Sequence, residues 1–76
     1  MSKKAELKKQ IADSIQEINN LEAKRNRSQA AILKAFLDKT EPLKADAEYF
    51  RVYTQLIELE RKHLRELNLA LRKLNK

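Results

Sequence analysis

The sequence predicts an all-α fold, an antiparallel two-helix hairpin that assembles with a second copy into a homodimeric four-helix bundle or coiled coil. Three observations predict it. Glycine is absent and proline occurs once, so little interrupts long helices away from Pro42. Charged residues make up 37% of the chain and aromatics 5%, with Leu, Lys, Glu, Ala and Arg dominant, which is the composition of long helices and coiled coils. The run from Tyr49 to Leu74 places apolar residues every three or four positions with charges between them, the period of an amphipathic helix.

The 76 residues allow one small helical-hairpin domain, with helix 1 over about 4–38, a loop over about 39–45 and helix 2 over about 46–75. Ser2 is a candidate cap for the first helix, although Ser2 and Glu6 are spaced too widely for a capping box. Within helix 1, Ile11, Ile18, Arg25 and Ile32 share one heptad row, and Leu7, Ser14, Leu21, Ser28 and Ala35 share the other. Arg25 and Ser28 break the centre of this seam. The polar stretch Ala23 to Gln29 has no Gly or Pro, so the helix is expected to continue through it; a hinge there is the competing reading. Asp38 to Pro42 marks the break, because proline lacks a backbone donor and disfavours helix in the residue before it. Thr40 or Glu41 ahead of Pro42, or else Asp46, suits the cap of helix 2.

Helix 2 carries two overlapping apolar stripes. One follows Val52, Leu56, Leu59, His63, Leu67, Ala70 and Leu74; the other follows Tyr53, Ile57, Glu60, Leu64, Leu67, Leu71 and Leu74. Together they exceed the seam of a two-stranded coiled coil and suit a helix with neighbours on two sides. Folding about residue 41 sets Leu7 near Leu74, Ile18 near Leu64, Arg25 level with Ile57 and Glu60, and Ile32 level with Tyr49 and Phe50. Two helices cover only one stripe. Leu59, Leu69, Phe36, Phe50 and one tyrosine are then stranded, and pairing with a second copy covers them most simply.

The function expected from this pattern is non-enzymatic: a small adaptor or chaperone-like protein that binds another protein through a broad apolar helix face. Tyr49, Val52, Tyr53, Leu56, Ile57, Leu59, His63 and Leu64 are the candidate partner contacts. In outline the hairpin is similar to small helical-hairpin chaperones and adaptors that hold secretion or flagellar subunits, a likeness of fold alone. The alternative is a basic nucleic-acid-binding or regulatory protein. The net charge is +6, and the hairpin brings Lys3, Lys4, Lys8 and Lys9 to the same pole as Arg72, Lys73 and Lys76. Such a pole can neutralise phosphates with salt-sensitive affinity. Further basic groups are Lys24, Arg25 and Arg27, and Arg61, Lys62 and Arg65. No helix-turn-helix, zinc-finger or β-ribbon signature accompanies them, and the same charges also serve solubility on a solvated helix face.

Catalysis has little to stand on. The carboxylates alternate with Arg and Lys at the spacing of surface ion pairs, and no nucleophile–base set, glycine loop, cofactor motif or metal-ligand spacing is present. His63, the only histidine, is expected to be half-buried at the edge of the stripe. No cofactor and no small-molecule substrate is expected. The absence of cysteine excludes disulfides and fits a reducing cytoplasm. No apolar run approaches the roughly 20 residues that cross a bilayer, and no apolar segment follows the basic start to make a signal peptide.

Overall fold

A computed structural model describes residues 2–75. Helix α1 spans Lys3–Leu37 (35 residues) and helix α2 spans Lys44–Leu74 (31 residues), joined by residues 38–43. The helices pack along each other as a hairpin of 57 × 15 × 15 Å. Among the described residues no helix is long and apolar enough to cross a membrane.

Helix α1 begins where a side chain can satisfy an orphan amide. Ser2 has extended backbone, and its Oγ accepts from the Ala5 N–H at 3.1 Å. The helix runs unbroken through Ala23 to Gln29. It ends in a Schellman arrangement: the Lys39 N–H donates to the Phe36 carbonyl at 3.1 Å and the Thr40 N–H to the Ala35 carbonyl at 2.9 Å. That geometry requires a left-handed residue, and Lys39 supplies it at φ 57°. Glycine is the usual occupant because it has no Cβ to clash. Lys39→Gly is therefore expected to stabilise the chain by about 1 kcal/mol, with Lys39→Ala close to neutral. Urea denaturation checks this, and equal midpoints for the two variants would remove the backbone explanation.

Helix α2 starts without a polar cap. The N-cap is Leu43, extended and with no side-chain hydrogen bond. Thr40, Glu41 and Asp46 do not fill that role. The Thr40 hydroxyl turns back to the Ala35 carbonyl at 3.1 Å, Pro42 precedes the helix, and Asp46 lies in its first turn, where a carboxylate meets the positive end of the helix dipole. Arg72 and Lys73 occupy the last turn, the end that favours cations.

The seam follows the two heptad rows of α1. Leu7, Ser14, Ile18, Leu21 and Ser28 are buried, and Ile11, Arg25, Ile32 and Ala35 are half-buried. Opposite them, α2 presents Ile57 and Leu67 buried, with Phe50, Tyr53, Glu60, Leu64 and Leu71 half-buried. Ile57 is the one fully buried large side chain among the described residues, at 1% exposure.

Two polar layers cross this seam. The Ser14 hydroxyl, 2% exposed, donates to Glu60 Oε1 at 2.7 Å. The Arg25 guanidinium lies 6.0 Å from the centre of the Phe50 ring, within cation–π range. The sequence places Arg25 level with Ile57 and Glu60; the long Arg25 and Glu60 side chains reach along the helices instead, to Phe50 and to Ser14, while the Glu22–Arg61 pair and the short connection fit folding about residue 41. Phe50, expected to be stranded, is half-buried under the Arg25 head.

Candidate functional site

The positions on either side of the seam define two flanks. Glu22 follows Leu21 and Arg61 follows Glu60, and the two meet as an ion pair at 3.1 Å on the first flank. Glu17 precedes Ile18 and His63 precedes Leu64, and these line a shared groove on the second flank. Tyr49 and Leu56 precede Phe50 and Ile57, so they lie on the same flank as His63. Val52 and Leu59 complete that face at helical spacing.

This α2 flank is the candidate site. Tyr49 (54% exposed), Val52 (43%), Leu56 (41%) and Leu59 (65%) lie outside the seam and next to one another along the helix. His63 ends the row and is exposed rather than half-buried. Of the eight candidate contacts, Ile57 is buried and Tyr53 and Leu64 are half-buried in the seam. Those three support the site from beneath. Tyr53 stacks on Tyr49 with ring centres 6.2 Å apart and planes at 26°. This contact restricts the exposed Tyr49 ring, and a restrained aromatic is an economical contact residue. The lower part of the same stripe is less open, because Leu67 is buried and Ala70 half-buried.

The groove beside His63 is polar. It holds about 450 Å³ and is lined by Gln10, Asp13, Ser14, Glu17, Glu60 and His63. Its one hydroxyl, Ser14, is committed to Glu60 and almost inaccessible. Among the described residues no group of three His, Cys, Asp or Glu side chains is placed to hold a metal ion. The groove thus offers hydrogen bonding and negative charge at the edge of the apolar row.

The basic pole has a different character. Lys3, Lys4, Lys8, Lys9, Arg72 and Lys73 are exposed, at the shared end of the two antiparallel helices. Lys76 lies outside the described residues. None of the three ion pairs among the described residues, Lys34–Asp38, Lys44–Glu48 and Glu22–Arg61, involves a residue of this pole, whose cations outnumber its one nearby carboxylate, Glu6. Arg61, grouped by sequence with Lys62 and Arg65, is taken by Glu22.

A further apolar set gathers near the connection. Leu33, Phe36, Leu37 and Leu43 are 55–83% exposed. Sequence reasoning singled out only Phe36 there. The signal available was the placing of Phe36–Leu37 and Leu43 on either side of the break, where neither helix has an opposing turn to cover them. Comparison with known proteins finds no family, no curated protein and no solved structure that matches this chain.

Proposed function

We propose that the chain is a non-enzymatic helical adaptor of the cytoplasm, chaperone-like in that it works by offering an apolar helix face to another polypeptide. The observation that carries this reading is the row Tyr49, Val52, Leu56 and Leu59, exposed beside a seam that is already closed. Rows of this kind serve helix-in-groove and helix-on-helix recognition, with anchors three and four residues apart. The aromatic member is braced by Tyr53, and Glu48 and Lys62 border the row on the side away from the seam, as expected of a surface that stays soluble until covered.

Leu56→Glu combined with Leu59→Glu tests the reading. Neither side chain is in the seam, so helical content by circular dichroism is expected to survive while binding of anilinonaphthalene sulfonate to the apolar face is lost. Unchanged dye binding would overturn it. The second reading, polyanion binding, rests on the basic pole. It expects nucleic acid to co-purify at low salt and to be released at high salt, since log affinity falls by about 0.9 per phosphate neutralised for each tenfold rise in salt. A clean absorbance ratio at low salt would remove it.

A further inference from the structure

We infer that the occupant of the α2 face is a second copy of this chain, laid antiparallel across a two-fold axis at Leu56. The inference rests on the reading of Tyr49 to His63 as a protein-binding surface and specifies what covers it.

Area is the first argument. The chain exposes 6216 Å², whereas a compact monomer of 8.9 kDa exposes about 4,800 Å². The hairpin therefore carries an excess of about 1,400 Å² over a compact monomer of its mass. A standard two-fold contact removes about 800 Å² per partner, somewhat more than half of that excess. With no cysteine to staple so small a core, assembly is a direct route to compactness.

The order of residues is the second argument, and it selects both occupant and direction. A two-fold interface requires that if residue i meets residue j, then j meets i. About Leu56 the row satisfies this in the antiparallel sense. Leu56 meets its own equivalent, Val52 meets Leu59 of the partner subunit, and Tyr49 meets His63 of the partner subunit. Glu48, Gln55 and Lys62 border the row on the side away from the seam and obey the same symmetry. Glu48 faces Lys62 of the partner subunit, with Gln55 near the axis, so opposite charges meet at both ends. In the parallel arrangement Glu48 would face Glu48 and Lys62 would face Lys62, which is repulsive. The present partner of Glu48 is Lys44 at 4.0 Å, an exposed pair that offers little resistance to exchange.

Because these 76 residues include no cysteine, single introduced cysteines report this geometry cleanly. A disulfide needs Cα atoms within about 7 Å. Under mild oxidation Gln55→Cys is expected to give a covalent dimer. Val52→Cys alone is expected to stay uncrosslinked, since the two copies of residue 52 lie roughly 12 Å apart along the axis. Val52→Cys with Leu59→Cys in one chain is expected to crosslink efficiently, and Glu58→Cys, on the far side of α2, to remain free. Unmodified protein is expected to scatter as a particle of twice 8.9 kDa. Crosslinking of Val52→Cys alone would overturn the antiparallel geometry. A single-chain mass at high concentration would overturn the second copy as occupant. In that case binding of anilinonaphthalene sulfonate that is lost in Leu56→Glu would leave the surface reading standing, and absence of dye binding would remove both.

Discussion

Ile57→Ala is expected to cost about 2–5 kcal/mol of folding free energy, the range for removing a buried aliphatic side chain together with the cavity it leaves. Ile57 is 1% exposed and sits between the Ser14–Glu60 layer and the Arg25–Phe50 layer. Neither layer can relax inward without separating its own partners, so the void stays open and the cost falls toward the upper part of the range. Domains of this length hold only about 4–11 kcal/mol in total. The variant should therefore lose a large share of its stability and melt broadly or not at all by circular dichroism. Leu59→Ala is the matched control. At 65% exposure its cost to the hairpin itself should stay within about 0.5 kcal/mol. Equal losses for the two would mean that the seam does not run through Ile57.

Arg25→Leu is expected to act in the opposite direction. Arg25 occupies a seam row between Ile18 and Ile32, half-buried, with its head over Phe50. Leucine there removes a cation–π contact of about 0.5–1 kcal/mol and adds a buried side chain of about 1.5–3 kcal/mol. The net gain should be about 1–2 kcal/mol, or a rise of several degrees in Tm for a chain of this size. The gain carries a loss of definition. With Ile11, Ile18, Leu at 25 and Ile32 in one row, the seam loses one of its polar layers, so a higher midpoint with a shallower melt or mixed particle masses is the expected signature. An unchanged midpoint would show that the arginine stem already covers as much apolar surface as leucine does.

Much of the fold was legible because helical periodicity is a strong signal over thirty residues. Both rows of α1, the continuity through Ala23 to Gln29 and the break near Pro42 depend only on spacing and on glycine and proline. The ends of the connection were less legible. Leu43 as an N-cap and Lys39 in a left-handed conformation are residues that local preference argues against, and they stand there because the packed helices fix where the chain must turn. The coarse register follows from folding at the break near Pro42, and the Glu22–Arg61 pair fits it. The particular partners of Ser14 and Arg25 depend on how far long side chains reach, which sequence can propose but not pair. For the site, spacing separated the Val52 row from the Tyr53 row, while only packing showed that Tyr53, Ile57 and Leu64 were already occupied. The exposure of His63 and the polar groove beside it follow from side-chain placement across two helices, which no single stretch encodes.

The rod-like outline has a hydrodynamic consequence. The Cα trace extends 57 × 15 × 15 Å, so the particle is distinctly elongated. It tumbles anisotropically and experiences more drag than a sphere of equal mass, so one chain will migrate in a sieving column as if it were larger. Side-by-side antiparallel pairing thickens the rod more than it lengthens it. Mass would then double while friction per unit mass falls, and the sedimentation coefficient would rise more steeply than elution position suggests.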